Sequence, residues 1–261
     1  VALAWGETRR CSVCGAGDGG LMAGDWLDTV LRLAGIGCGA AAVRLFAAEG
    51  AAVGIMDRNV QAGQALAFEL ASQGKRVVFA TADVSQKDQV EAAVANVKAS
   101  LGPVNVLFNH AGTIVIKPFL ETEEEDWDFL FDVNVKSMYL MTRAVLPLMK
   151  PHPGGIILNI GSIAGRVAYE GGSAYCASKA GVLMFTKSLA IEFSKQEVRV
   201  NAVCPGMVKT PLTDNFSMPE NADMQLMGKL FPLLEGAEPE EIAAAVAYLA
   251  SAEARFITGA A

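Results

Sequence analysis

From Gly39 onward the chain alternates between short apolar runs and longer segments in which apolar residues recur with helical period. This alternation is typical of repeated β-α-β units, whose strands form a parallel sheet with helices on both faces. Thr122 and Glu125 have the spacing of a capping box and mark the start of the fourth helix. The sequence therefore predicts an α/β fold with a doubly wound parallel sheet. The predicted strands cover 29–33 (a ragged first strand), 52–56, 76–80, 104–109, 155–160 and 198–203, and the predicted helices cover 40–49, 61–73, 86–101, 123–149, 173–194 and 239–252.

Length and charge narrow the class of protein further. The 261 residues suffice for one large domain with a substantial core, which we expect to cover 23–261 after an N-terminal extension at 1–22. The net charge of -7 argues against nucleic acid as a partner, because phosphate binding needs clustered cations. Charged residues interrupt the alanine-rich stretches before a membrane span is reached. With no recognisable secretory signal, we expect a cytoplasmic protein with no membrane partner.

Cysteine usage gives no sign of a disulfide framework or a metal site. Cys11 and Cys14 form a C-x-x-C pair, but no second pair follows at zinc-finger spacing, and His110 and His152 are distant in sequence. We therefore expect reduced thiols and no bound metal. The five cysteines are Cys11, Cys14, Cys38, Cys176 and Cys204.

The strongest signal for chemistry is the pair Tyr175 and Lys179 in a predicted helix. Positions i and i+4 lie on one helix face, so the ammonium can favour the phenolate and lower the pKa of the phenol from about 10. Alone, such a pair also occurs as an ordinary exposed helical pair. Ser162 follows a predicted strand and places a hydroxyl at the carboxyl edge of the sheet, where open α/β folds bind ligands. Together these residues predict a proton-transfer site.

The same residues resemble the active site of the short-chain dehydrogenases/reductases, and the resemblance covers about residues 37–259. It implies a Rossmann-type fold in which Ser162, Tyr175 and Lys179 are the catalytic serine, tyrosine and lysine. It also implies that Asn134 holds a water that passes protons to the lysine. The alternative for Asn134 is an amide that only satisfies helix backbone. By the same resemblance we expect a homo-oligomer, either a tetramer or a dimer.

Further segments resemble the cofactor-binding parts of this family. In 109–112 the family's N-N-A-G segment appears with His110 in place of the second asparagine, and we expect His110 to be a structural or loop residue. Asp57 can accept hydrogen bonds from ribose hydroxyls and would repel a 2′-phosphate, which favours NAD. Neighbouring Arg58 could pair with that phosphate, so NADP stays open. The other cofactor contacts implied by resemblance are Asp83, Val84, Asn109, Ala111, Gly112, Tyr175, Lys179, Pro205, Gly206, Val208 and Thr210.

The phosphate-binding loop departs from the family's T-G-x-x-x-G-x-G pattern. Anchoring that pattern on the downstream helix puts its last glycines on Gly37 and Gly39, but its threonine-glycine pair on Arg32 and Leu33. A second register, G-x-G-x-x-A, fits residues 35–40 with Gly35, Gly37 and Ala40 at its fixed positions. The glycines expected to contact the cofactor in this loop are Gly35, Gly37 and Gly39. Leu33 would obstruct the approach of a pyrophosphate to the helix start. We therefore expect a reading-frame slip or a substitution in this stretch, which resequencing of the coding DNA would test.

The carboxyl-terminal part departs from the family as well. Residues 256–259 resemble the turn before the family's last strand, but the sequence stops at Ala261, before that strand can form. We therefore expect an unpaired edge in the parallel sheet. Upstream, 211–234 is rich in methionine and phenylalanine where the family has its substrate lid, and this favours an apolar ligand. Ordinary packing or a subunit interface is the alternative.

The expected activity is hydride transfer between C4 of a nicotinamide and a carbinol or carbonyl carbon, with NAD as the favoured cofactor. The substrate would be a secondary alcohol or ketone of medium size, either apolar or acyl. Ser162 would hydrogen-bond the substrate oxygen, and Tyr175 would exchange the proton. Two alternatives stay open. One is a catalytically impaired nucleotide-binding or scaffold protein, and the other is an enzyme that uses the same fold for epimerisation or dehydration.

Overall fold

The computed structural model describes residues 29–33, 37–149, 154–211 and 235–261. Its six strands form one parallel sheet in the order β3-β2-β1-β4-β5-β6. The doubly wound α/β prediction is confirmed, and every predicted element except the fourth helix agrees within two residues with the observed bounds. The strands are β1 (Thr29–Leu33), β2 (Ala52–Asp57), β3 (Val77–Thr81), β4 (Val106–Asn109), β5 (Ile156–Ile160) and β6 (Arg199–Val203). The helices are α1 (Cys38–Ala48), α2 (Val60–Ser72), α3 (Lys87–Leu101), α4 (Glu124–Phe131), α5 (Ser137–Val145), α6 (Ser173–Glu192) and α7 (Pro239–Ala250).

Helices cover both faces of the sheet, because the central strands carry apolar side chains on both sides. Successive residues of a strand point to opposite faces, and this explains why Ile55 and Met56 of β2 belong to different core clusters. One cluster joins the sheet to α1, α2 and α7, with Phe46 fully buried at its centre. The other joins the opposite face to α3 and α5, with Met141 fully buried.

The fourth predicted helix, 123–149, corresponds to a continuous helical run over 124–148, but this run is not one uniform α-helix. Instead α4 is followed by a π-helical turn, Asp132–Lys136, then by α5 and a 3-10 turn that contains Pro147. The predicted capping box is also displaced by one residue, since the backbone N–H of Glu123 donates to the Asp126 carboxylate at 3.1 Å. Glu123 is the N-cap residue of α4. Thr122 closes the preceding 3-10 turn, where its hydroxyl donates to the carbonyl of Pro118 at 3.2 Å.

The free edge of β6 is partly covered, which corrects the expectation of an unpaired edge in this stretch. The backbone N–H of Gly259 donates to the carbonyl of Val200, and that of Ala202 donates to the carbonyl of Ala260, both at 2.8 Å. The side chain of Asn201 adds a bond by accepting the N–H of Ala260 at 3.0 Å. The backbone of 257–260 therefore provides hydrogen-bond partners for some of the N–H and C=O groups at the edge of β6, although these residues do not form a regular strand.

Several predictions concern residues outside the described ranges. These are the N-terminal extension, the C-x-x-C pair Cys11 and Cys14, Gly35, His152 and the methionine-rich segment 212–234. Arg32 and Leu33, which the first glycine register placed at the start of the phosphate loop, are the last residues of β1. Among the helices that the structure describes, none is both long and apolar enough to cross a membrane.

Candidate active site

The carboxyl ends of the strands line one cavity of about 630 Å³. Asp57 ends β2 and Ser162 follows β5, and these strands are three positions apart in the sheet. At about 4.8 Å per strand, the two side chains belong to opposite parts of the cavity, roughly 14 Å apart. Such an edge of an open parallel sheet is where α/β folds bind ligands.

Ser162 is held at this edge by the turn that follows β5. Its hydroxyl oxygen accepts the backbone N–H of Ala164 at 3.1 Å, which caps the 3-10 helix Ile163–Gly165. The backbone N–H of Gly161 donates to the carbonyl of Val203 in β6 at 2.8 Å. Hydrogen bonds therefore hold the backbone on both sides of Ser162.

Tyr175 and Lys179 lie on α6, which packs against the same turn. Both side chains line the cavity with Ser162, and the Ser162 hydroxyl is close enough to the Tyr175 phenol to lower its pKa. The Lys179 Nζ lies 5.9 Å from the centroid of the Tyr175 ring and donates to the carbonyl of Ile160 at 3.1 Å. The structure thus brings the three residues together that the sequence predicted to act together.

Burial shapes the acid–base properties of this group of residues. It raises the pKa of Tyr175 above its ordinary value, while the hydrogen bond to Ser162 acts in the opposite direction. Burial lowers the pKa of Lys179 to about 8, against a small opposing effect of Cys204. At neutral pH the lysine therefore keeps its charge, and the phenol is protonated. Lys179 is not among the groups that shift the pKa of Tyr175 here, so its expected effect on the phenol stays a prediction.

Asn134 lies fully buried in the π-helical turn, beside the cavity rather than in its wall. Its Oδ1 accepts the backbone N–H of Thr113 at 2.8 Å, and its Nδ2 donates to the carbonyl of Thr113 and to Ser178 Oγ, both at 3.0 Å. The amide therefore satisfies the backbone of the loop after β4. A Cβ at Gly112 would lie 3.4 Å from Asn134 Oδ1 and 3.5 Å from Lys179 Nζ, so both side chains adjoin this glycine.

The part of the cavity near Asp57 contains several of the residues expected to contact a cofactor. The Asp57 carboxylate accepts the backbone N–H of Asn59 at 2.7 Å. Burial raises the pKa of Asp83, but hydrogen bonds from Ser85 and the charge of Arg58 outweigh that effect and leave the pKa below its ordinary value. A carboxylate at each of two strand ends gives this part of the site a negative character. The predicted cofactor residues in the cavity wall are Gly37, Asp57, Arg58, Asp83, Val84, Ala111, Gly112, Tyr175, Lys179, Pro205, Gly206, Val208 and Thr210.

Two predicted cofactor residues do not line the cavity. Gly39 is buried within α1. Asn109 is fully buried, and its Nδ2 donates to Asn159 Oδ1 at 2.9 Å and to Thr142 Oγ1 at 3.3 Å. Its side chain therefore joins β4 to β5 and α5, because the strand register places it directly beside Asn159.

The cavity also has lining residues that the sequence analysis missed or assigned elsewhere. His110, expected to be a structural or loop residue, contributes to the wall and packs edge-on against Phe108. Cys38 at the start of α1 and Tyr169 in the loop before α6 line it too. No motif in the sequence marked Cys38 or Tyr169 as a lining residue, and His110 was noted only as a replacement in the N-N-A-G segment. The apolar lining residues on the Ser162 side include Ile114, Phe129, Val133, Ile163 and Met207.

Gly165 lets the turn that carries Ser162 approach α6 closely. A Cβ at this position would lie 2.8 Å from the Lys179 backbone oxygen and 2.9 Å from its carbonyl carbon. Gly165→Ala should therefore displace the turn, with a loss of about 1–3 kcal/mol in the free energy of unfolding. Turnover should fall as well, because Ser162 moves with the turn. Urea unfolding and steady-state rates check both expectations.

Gly181→Ala provides the matched control for that substitution. Gly181 lies in α6, and a Cβ there would have its nearest neighbour at an ordinary 3.7 Å, on Val135. Alanine favours helix over glycine by about 1 kcal/mol, so stability should not fall. If both substitutions lowered the free energy of unfolding by the same amount, the close approach at Gly165 would not be the cause of the loss in Gly165→Ala.

Comparison with known proteins identifies the family. Residues 32–261 match the family model described as enoyl-(acyl carrier protein) reductase. The chain is 38% identical over 229 residues to oxidoreductase UcpA of Salmonella typhimurium, covering 85% of this chain and 87% of that protein. It is 36% identical over 236 residues to cyclopentanol dehydrogenase of Comamonas sp., covering 89% and 93%. The chain belongs to the short-chain dehydrogenase/reductase family.

A solved structure supports the same assignment at the level of the fold. The 3-ketoacyl-(acyl-carrier-protein) reductase of Brucella melitensis, crystallised in complex with NADH, superposes with a TM-score of 0.80 at 32% identity. The superposition covers 92% of this chain and 96% of that one. This short-chain dehydrogenase/reductase therefore has the Rossmann-type fold that its sequence predicted.

Proposed function

We propose that this protein is a nicotinamide-dependent oxidoreductase that interconverts a secondary alcohol and a ketone, with NAD as the preferred cofactor. The observation that carries the proposal is the convergence of Ser162, Tyr175 and Lys179 on one cavity that extends to Asp57. An apolar wall beside Ser162 suits an apolar alcohol or ketone. The Comamonas relative is named for a cyclic secondary alcohol, which makes cyclopentanol a reasonable first substrate.

The residues present fit a dinucleotide. Asp57 and Asp83 follow strands on one side of the sheet, and Pro205 and Gly206 follow β6 on the other, so the wall spans several strand ends. The carboxylate of Asp57 can accept bonds from ribose hydroxyls. The bound nicotinamide would supply or accept the hydride.

The chain's own residues would manage the proton and the substrate oxygen. In the oxidation direction, the carbinol hydrogen would leave as hydride to the nicotinamide, the hydroxyl proton would pass to Tyr175 in its phenolate form, and a ketone would result. Ser162 donates a hydrogen bond that holds the substrate oxygen beside the phenol. Lys179, charged at neutral pH, would favour the phenolate once substrate and cofactor are bound, and it lies beside Gly112, where the nicotinamide ribose would bind. Asn134 positions the loop that contains Gly112 through its bonds to Thr113.

A panel of secondary alcohols and ketones, assayed with NAD(H) and NADP(H) in parallel, tests this proposal. We expect turnover of small apolar members, with a higher kcat/KM for NAD than for NADP. A protein that binds NADH, measured by fluorescence, but turns over no member would instead be a nucleotide-binding scaffold. Conversion of a substrate without net oxidation or reduction would indicate epimerisation or dehydration.

The cofactor preference should depend on Asp57. Asp57→Ala removes a carboxylate that would bond the ribose and repel a 2′-phosphate, so the kcat/KM for NAD should fall roughly ten- to hundredfold. The value for NADP should fall less or rise, because Arg58 remains. Asp88→Ala is the control, since Asp88 is exposed on α3 and does not line the cavity. An unchanged NAD to NADP ratio in Asp57→Ala would contradict the assignment.

A further inference from the structure

Tyr169 adds a polar group to the substrate part of the cavity that the proposed reaction does not use. It lines the cavity together with Ser162 and Tyr175. Tyr169 and Tyr175 are close enough for the charge of one to raise the pKa of the other. Within the described ranges, the Tyr169 hydroxyl makes no hydrogen bond to another residue. Because the cavity wall is largely apolar, the Tyr169 hydroxyl is one of few groups there that can hydrogen-bond a polar group of a ligand.

The position of Tyr169 is fixed by contacts to the start of α6. A Cβ at Gly172 would lie 2.5 Å from the Tyr169 ring, so the ring packs directly on this glycine. The backbone N–H of Gly172 also donates to the carbonyl of Tyr169 at 3.2 Å, and the Cys176 N–H donates to the carbonyl of Gly172 at 2.7 Å. Since α6 also carries Tyr175, the two phenols keep a constant relation to one another.

Tyr169 is suited to donate a hydrogen bond and not to exchange protons. Burial raises its pKa well above the ordinary value, and Tyr175 raises it further. The phenol therefore stays neutral throughout the pH range in which such an enzyme works. A neutral phenol in an apolar wall favours a ligand that has an oxygen to accept its hydrogen bond. A ligand without that oxygen binds less well, because the Tyr169 hydroxyl is then left without a partner.

We propose that the Tyr169 hydroxyl donates a hydrogen bond to a second oxygen of the substrate, close to the reacting carbon. The preferred substrate class is then a ketone with a neighbouring hydroxyl or carbonyl group, or the corresponding diol in the oxidation direction. This inference rests on the proposed function, and it makes Tyr169 a specificity-determining residue of the same site.

Matched substrate pairs test the inference with Tyr169→Phe, which removes only the hydroxyl. The pairs are cyclopentanol with its vicinal diol and acetoin with butanone. We expect kcat/KM for the oxygen-rich member to fall about three- to tenfold, as loss of one neutral hydrogen bond predicts, mostly through KM. The simple member should keep its value. The control is Tyr139→Phe, since Tyr139 is 46% exposed on α5 and does not line the cavity.

The outcomes separate this inference from the function on which it rests. A wild-type protein inactive towards all four compounds contradicts both. If the wild type is active and Tyr169→Phe leaves the selectivity unchanged, only the inference fails. An equal fall for both members of each pair would also overturn it, because Tyr169 would then support the site without contacting a second oxygen.

Discussion

Tyr175→Phe is expected to lower kcat by about a thousandfold while the affinity for NADH stays within about twofold. Phenylalanine keeps the ring in the cavity wall but removes the hydroxyl that lies near Ser162. Without it, no group on α6 can take the alcohol proton directly. Steady-state rates and NADH fluorescence titration measure the two quantities separately.

Tyr248→Phe is the matched control for this prediction. Tyr248 is 44% exposed on α7 and is not part of the cavity wall, so its hydroxyl should matter for neither rate nor affinity. Wild-type turnover by Tyr175→Phe would show that another group transfers the proton. A parallel loss of NADH binding would mean that the ring change had altered the cavity itself.

Lys179→Met is expected to abolish turnover and to stabilise the protein. Burial lowers the pKa of Lys179 from 10.5 to about 8, so keeping the ammonium charged at neutral pH costs the folded state about 3 kcal/mol. Methionine fills a similar space without the charge, although the carbonyl of Ile160 loses a bond worth about 1 kcal/mol. The net gain of about 2 kcal/mol should raise Tm by roughly 4–8 °C at neutral pH.

The stability that Lys179→Met gains over the wild type should fall as pH rises. Between pH 8 and 10.5 the unfolded chain binds a proton that folded Lys179 has released, so wild-type stability rises with pH across this window. The advantage of Lys179→Met should therefore be largest below about pH 8 and disappear above about pH 10.5. Lys187→Met, at an exposed position of the same helix, should show no such trend. A destabilised Lys179→Met at neutral pH would contradict this prediction.

The fold and the reacting residues could be predicted from sequence because each has a local signal. Apolar runs of strand length gave the bounds of all six strands within two residues, including the first strand at 29–33. Tyr175 and Lys179 have helical spacing, and Ser162 follows a buried strand. These patterns depend only on chain neighbours, so they can be detected before any tertiary contact is known.

The details that the sequence did not predict depend on individual polar and packing contacts. The contact expected between Asn109 and the cofactor stays a prediction, and the register of β4 against β5 places the Asn109 side chain beside Asn159 in the interior. The capping box begins one residue later than predicted because Thr122 closes the preceding 3-10 turn, where its hydroxyl donates to the carbonyl of Pro118. Tyr169 reaches the cavity only because its loop packs on Gly172. No hydrophobic period encodes such contacts.

The most direct measurement of the central claim follows the hydride itself. The best alcohol of the panel, deuterated at its carbinol carbon, is incubated with NAD and the enzyme, and the reduced cofactor is analysed by mass spectrometry. The proposed function predicts deuterium in the reduced cofactor in equal amount to the ketone formed, and almost none with Tyr175→Phe. Ketone formation that leaves the cofactor unlabelled, or full labelling by Tyr175→Phe, would contradict it.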